Sequence, residues 1–263
     1  MTATADLLQT IIAATQRSVA VRSARVPERE LERRITRAPR GAAFEAALRT
    51  SPPPRIVAEC KRRSPSRGIL RVAYDPAAHA AAYAEAGAAA ISVLTEPTMF
   101  DGSLDHLAQV RAAVDLPLLR KDFIVCEYQL VEAAVYGADA VLLIAAGLSD
   151  EGLARLLDRG RAMGLAVLVE AHDRAEVDRA IAAGAAIVGI NSRDLRTLSV
   201  DRAVLETVVT AVPASVVAVA ESGIATTEDV ARLSSLGYHA FLVGERLIAQ
   251  PDPGAALREL RGR

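Results

Sequence analysis

Short apolar runs in this chain end repeatedly in residues that can move protons or hold charge. The run at 55–60 leads into Glu59-Cys60-Lys61, and that at 116–120 into Arg120-Lys121-Asp122. Others end in Glu170, in Asn191-Ser192-Arg193 and in Glu221-Ser222-Gly223. A lysine near carboxylates suits acid–base chemistry, because the ammonium can give a proton and a carboxylate can take one. Buried neighbours of opposite charge also shift each other's pKa values, which divides acid from base. Strand residues two apart share a face, so Glu59 and Lys61 point one way and Cys60 the other. A single charge at a strand end is usually an ion pair, but several together suggest a site. A second chemistry is anion binding. SPSRG (64–68), ESGI (221–224) and LVGERL (242–247) follow such runs. Gly223 and Gly244 would let backbone N–H groups close on a phosphate, with a short helix after the last run aimed at it.

These ends need a scaffold that brings them together. Past residue 54 one unit recurs: an amphipathic stretch, a glycine, a short apolar run, then polar residues. Gly87, Gly137, Gly164, Gly184 and Gly237 sit where a helix ends in a left-handed residue. The runs that follow do not alternate, as expected of strands buried on both faces. The strands predicted are 55–60, 89–94, 116–120, 140–144, 166–170, 187–190, 216–220 and 240–243. Eight βα units in about 200 residues predict an α/β fold, a (β/α)8 TIM barrel, whose function sits at the C-terminal strand ends. A doubly wound sheet is the rival, but no GxGxxG follows the first strand. The expected organisation is a single domain over 1–263, with 1–54 a helical extension and 55–263 the barrel. Leu7 to Val19 have helical spacing, Val26-Pro27 breaks that helix, and further helices are expected at 30–36 and 44–48.

The chain has 263 residues, 51% hydrophobic and 24% charged, with net charge −1. That composition suits a soluble globular protein and gives no global field for nucleic acid or membrane. Apolar runs are broken well before about 18 residues, so no membrane span is expected. The N-terminus lacks the basic start of a signal peptide, so a cytoplasmic location is expected. Cys60 and Cys126 have no metal spacing and read as reduced thiols. His79, His106, His172 and His239 are scattered, so no metal site is expected. Residues 17–40 hold eight arginines. They form either a solvated face or a cap that attracts an anionic ligand. Trp is absent, and only five Tyr and four Phe remain, so the core must be aliphatic.

The chain also resembles the indole-3-glycerol-phosphate synthase family over residues 5 to 260. The matching segments are AECKRRSPSRG (58–68), SVLTEPTMFDGSL (92–104), LRKDFIV (119–125), LVEAHD (168–173), GINSRDL (189–195), VAESGI (219–224) and FLVGERL (241–247). The resemblance implies conversion of 1-(2-carboxyphenylamino)-1-deoxyribulose 5-phosphate to indole-3-glycerol phosphate, CO2 and water. No cofactor is implied, and the phosphosugar is the only partner; a monomer is expected. Lys121 would be the acid of ring closure. Lys61 would hold the substrate carboxylate and could serve as acid in dehydration. Glu170 would be base or acid of that half, its division with Glu59 and Lys61 left open. Asn191, Arg193 and Glu221 would orient the substrate, and Glu59 would pair with Lys61 and Lys121. Ser64, Ser222, Gly223, Gly244 and the backbone N–H of Glu245 would cradle the phosphate. Phe100, Phe123 and Leu142 would wall the aromatic ring. The N-terminal segment would lie over the mouth. The chain departs from the family pattern at Arg63, at the helix start CEYQLVEA (126–133), at the extra glycine of AAGL (145–148) and at Glu245. The rival chemistry is a Schiff-base aldolase with Lys121 or Lys61 as nucleophile.

Overall fold

Eight parallel strands close into a barrel in the computed structural model, which describes residues 6–263. They are β1 (Ile56–Cys60), β2 (Ala90–Leu94), β3 (Leu118–Lys121), β4 (Ala140–Ile144), β5 (Ala166–Ala171), β6 (Ile187–Asn191), β7 (Val217–Glu221) and β8 (Ala240–Val243). Each pairs with the next, and β8 pairs back onto β1. The fold is the (β/α)8 barrel expected. β3, β5, β6 and β7 each run one residue further than the apolar pattern suggests, through Lys121, Ala171, Asn191 and Glu221. A charged side chain ends the apolar pattern, but its backbone still joins the ladder. Lys121, Glu170, Asn191 and Glu221 are therefore held by strands rather than loops.

Three helices precede the barrel: α1 (Leu7–Arg25), α2 (Glu28–Glu32) and α3 (Gly41–Thr50). The barrel helices are α4 (Pro76–Glu85), α5 (Leu104–Ala113), α6 (Glu127–Val135), α7 (Asp150–Ala162), α8 (Arg174–Ala182), α9 (Ala203–Thr207), α10 (Thr227–Ser235) and α11 (Pro253–Leu260). Gly87, Gly137, Gly164, Gly184 and Gly237 all have φ between +80° and +104°, as the repeat requires. The second helix starts at Glu28, not at 30, and ends at Glu32. Pro27 presets the entry angle, and Glu28 and Glu30 favour the positive end of a helix.

The core has two layers, because alternate strand residues face opposite sides. Ile56, Ala58, Cys60, Ile91, Val93 and Leu118 pack outward against the helices. Val57, Ala90, Leu119, Ala140, Leu142, Leu168, Ile187, Val217 and Ala240 fill the barrel. Phe44 and Leu48 of α3 join that inner cluster, fully buried. α3 enters at the N-terminal end of the strands, where the Gly41 N–H donates to Gly164 O at 2.9 Å. A Cβ on Gly41 would stand 2.3 Å from Ala166 N.

The extension thus lies at the mouth only at its start. Leu8, Ile11 and Ile12 pack near Phe123 and Ile144, and the chain then runs down the barrel to close the opposite end. The extra Gly147 makes room for this, since a Cβ there would stand 2.9 Å from Ile12 Cδ1. Of the arginines of 17–40, Arg22, Arg37 and Arg40 clasp the barrel flank and floor, while Arg17, Arg25, Arg29, Arg33 and Arg34 lie on a solvated face. Arg22 Nε pairs with Glu132 at 2.6 Å. Buried Asp139 accepts from Arg37 Nη2 at 2.7 Å, the Arg40 N–H at 2.9 Å and Arg111 Nη1 at 3.1 Å. No helix among the described residues is long and apolar enough to cross a membrane.

Candidate active site

The inward side chains of the last strand residues form a polar layer above the apolar interior. Glu59 and Lys61 come from β1 and its end, Lys121 from β3, Glu170 from β5, Asn191 from β6 and Glu221 from β7. They border one cavity of about 740 Å³. Arg193, Phe100, Phe123, Leu142, Ser64, Ser222, Gly223, Gly244 and Glu245 border the same cavity. Every candidate residue read from the sequence therefore meets at one place.

Lys121 is the centre of charge. Its Nζ donates to Glu170 Oε2 at 2.9 Å and lies 3.5 Å from Glu221 Oε2. Glu59 does not touch it; its Oε2 pairs instead with Lys61 Nζ at 2.6 Å. The expected Glu59–Lys121 contact is therefore replaced by two carboxylates from the far side of the barrel, while Glu59 acts on Lys121 only through its field. Burial pulls the Lys121 pKa down, but Glu170, Glu221 and Glu59 together push it above the ordinary lysine value. Burial alone would raise Glu170, yet Lys121, His172 and Asn191 hold it down to about 2. Glu221 goes the other way: burial and the Glu170 charge beside it raise it well above the carboxylate range. Two neighbouring carboxylates so take opposite protonation preferences.

The geometry is fixed from behind. Arg120 and Asp122, the neighbours of Lys121, point outward. Asp122 Oδ2 accepts from Thr95 Oγ1 at 2.6 Å and from Arg120 Nη2 at 2.8 Å. Arg120 Nη1 also donates to Gln129 O at 2.7 Å. Asp122 Oδ1 takes the Phe123 N–H at 2.8 Å. This buried network pins the strand end that carries Lys121 and the loop that carries Phe123. Cys126 makes no side-chain cap on α6. Gln129 replaces it, accepting the Val125 N–H at 2.8 Å and donating to Phe123 O at 3.0 Å. Phe100 is set by Glu96, whose Oε2 accepts the Met99 and Phe100 N–H groups at 2.7 and 3.2 Å. The two rings stand 6.3 Å apart, tilted by 36°.

Asn191 links two sides of the mouth. Its Nδ2 donates to Glu170 Oε1 at 3.1 Å, and its Oδ1 accepts the Arg193 N–H at 2.9 Å. At the opposite rim, Arg193 Nη1 donates to Ser66 Oγ at 3.2 Å. Glu245 pairs with Arg67 Nε at 2.9 Å and Arg193 Nη2 at 3.4 Å. Ser222 and Gly223 both adopt left-handed backbone, with φ +64° and +71°. Gly244 does not, at φ −122°. Its missing side chain serves Glu59 instead, because a Cβ would stand 2.2 Å from Glu59 Oε2.

The sequence pattern did not reveal three features. Gly189 on β6 leaves room for Glu221, whose Oε1 would stand 2.1 Å from a Cβ there. Ser92 points into the barrel, fully buried, with no partner for its hydroxyl. Arg67, rather than Arg63, borders the cavity, while Arg63 sits 4.0 Å from Asp101. A glycine or serine inside a β-run is a weak signal without knowing which face it lies on.

A closed parallel barrel with a lysine and opposed carboxylates at its C-terminal mouth defines a (β/α)8 enzyme of acid–base chemistry. The profile of indole-3-glycerol phosphate synthase matches residues 8–260, and the chain belongs to that family. It is 48% identical over 255 residues to the indole-3-glycerol phosphate synthase of Streptomyces griseus subsp. griseus, covering 97% of this chain and 94% of that one. The protein of the same name from Mycolicibacterium smegmatis is 46% identical over 256 residues, with 97% and 94% covered. Among solved structures, thiamine phosphate pyrophosphorylase from Pyrococcus furiosus is similar in fold, with TM-score 0.61 and 18% identity. It covers 79% of this chain and 94% of that one.

Proposed function

We propose that Lys121, Lys61 and Glu170 carry the proton movements by which this mouth makes indole-3-glycerol phosphate. The chain is a carboxy-lyase of tryptophan biosynthesis that closes a ring on 1-(2-carboxyphenylamino)-1-deoxyribulose 5-phosphate and releases CO2 and water. The observation that carries the residue roles is the Lys121 ammonium, 2.9 Å from Glu170 and 3.5 Å from Glu221 inside the mouth.

As the ring carbon attacks the ketone, Lys121 gives its proton to the carbonyl oxygen, which becomes a hydroxyl. The carboxylate then leaves as CO2 and the ring regains its aromatic electrons. In the dehydration half, Lys61 protonates the departing hydroxyl and Glu170 takes the proton from the carbon next to nitrogen. Glu170 fits a base because its neighbours hold it ionised. Glu59, 2.6 Å from Lys61, holds that amine in place. Asn191 steadies Glu170, while Arg193 and the neutral-leaning Glu221 orient the substrate. Phe100, Phe123 and Leu142 receive the aromatic ring. Ser64, Ser222, Gly223, Gly244 and the Glu245 N–H receive the phosphate, beside Arg67. Ionised Glu170 also keeps Lys121 charged, which favours an acid over a Schiff-base nucleophile.

All these groups come from one chain, which fits a working monomer, and the biosynthetic family fits a cytoplasmic location. The Arg37–Asp139 pair and Phe44 tie residues 6–54 into the barrel, which supports one domain. The test is the appearance of indole fluorescence when the protein meets the carboxyphenylamino substrate. The chain contains no Trp, so background is low. No indole product would end the reading, and a substrate adduct trapped by borohydride would favour the aldolase.

A further inference from the structure

One buried nitrogen beside the mouth takes no part in the chemistry above. His172 follows the end of β5, two residues past Glu170. Its Nε2 lies 3.5 Å from Glu170 Oε1, and is buried with no hydrogen-bond partner. Its Nδ1 lies 3.1 Å from Glu176 Oε2, and the same oxygen accepts the His172 backbone N–H at 2.8 Å. Glu176 stands in the first turn of α8, with its N–H on Asp173 Oδ1 at 2.9 Å. The ring is therefore gripped from the helix side and presents its other nitrogen to Glu170. It meets the oxygen that Asn191 addresses, while Lys121 takes the other one.

The ring borders a second cavity of about 350 Å³, separate from the mouth except at Asn191 and Leu195. The ionisable groups around it are Asp173 and Glu176 from the start of α8, and Asp194, Arg196 and Asp201 from the segment after β6. With Glu170 from β5, which also pairs with Lys121, carboxylates outnumber cations around the ring.

We propose that His172 is a positioning residue for Glu170, an imidazolium that donates one N–H to Glu176 and points the other at Glu170 Oε1. It rests on Glu170 being the base of the dehydration half. Lys121 gives up its charge when it protonates the ketone. His172 is then the cation that remains against Glu170, and it keeps the carboxylate ionised for the proton it must take. Burial lowers the His172 pKa, but Glu176, Glu170 and Asp194 together leave it raised above 6.5, in line with a charged ring.

The chain has four histidines, so its imidazole resonances are few, and the one missing from His172→Gln is that of His172. In the whole protein, His172 titrates above the ordinary histidine range, and Glu170→Gln lowers that titration. In His172→Gln, the acid limb of the kcat–pH profile moves to higher pH, with KM little changed. Below that limb, kcat falls about tenfold for each unit of the shift. A kcat reduced equally at every pH, with the limb in place, overturns the proposal. So does an unmoved His172 titration in a Glu170→Gln protein that has lost its kcat. Full kcat in Glu170→Gln overturns instead the role of Glu170 as base, and with it the purpose of His172.

Discussion

Lys121 Nζ and Glu170 Oε2 stand 2.9 Å apart, although 49 residues separate them in sequence. The ammonium comes from β3 and the carboxylate from β5, and each sits near the last residue of its strand. In the roles proposed above, the pair would couple the two halves of the reaction, because a proton lost by Lys121 changes the field around Glu170.

Lys121→Ala removes the proposed ring-closing acid and leaves Phe100, Phe123 and the turn at Ser222-Gly223 in place. Turnover falls by about 10²–10⁴ or more, while a product analogue still binds. Steady-state rates and a binding titration check both halves, and a near-wild-type kcat would remove Lys121 from the chemistry.

Glu170 and Glu221 have opposite effects on stability as pH changes. Glu170 lies at about 2, below its ordinary 4.5. Its contribution is full above pH 4.5 and fades as pH falls toward 2. Glu221 is raised above 4.5, so the unfolded chain ionises first and stability is lost as pH rises beyond that value. Glu221→Gln, which mimics the protonated form, therefore raises Tm near neutral pH and gives no gain below pH 4.5. Melting curves across pH test the sign, and a lower Tm at neutral pH would show that Glu221 is held ionised.

Gly189→Ala places a Cβ 2.1 Å from Glu221 Oε1. The carboxylate must swing toward Lys121 or out of the mouth. Overpacking of this kind costs about 1–3 kcal/mol, so the protein folds. A displacement near 1 Å in a catalytic constellation costs about 10²-fold in rate. The expected result is a folded protein with strongly reduced kcat, checked by circular dichroism beside the indole assay.

Arg120→Ala leaves Asp122 and Glu132 buried without their shared cation. Removing one partner of a buried ion network costs about 3–5 kcal/mol. Denaturant unfolding should show that loss. Activity should fall too, because Arg120 holds Asp122, and Asp122 holds the Phe123 N–H.

Much of the mouth is legible without any knowledge of the fold. Period-two reasoning separates Glu59 and Lys61 from Cys60, and the structure puts Cys60 in the outer layer with Pro76. The glycine after five of the helices marks where the next strand begins. What is not legible is which lysine each carboxylate chooses. Glu59 takes Lys61, while Glu170 and Glu221 take Lys121. That choice depends on distances across the barrel, which strand order alone leaves open. The course of residues 17–40 is equally hidden, since an arginine on a solvated helix and one paired with Asp139 look the same in sequence.

The sequence by itself determined the kinds of groups at the mouth and the strand on which each stands, because alternation and helix-ending glycines are local rules. Tertiary structure alone decided their partners and proton affinities. Burial and Coulomb interactions act through space, across strands dozens of residues apart. Lys121, Glu170, Glu221 and His172 acquire their protonation states only when the barrel closes around them.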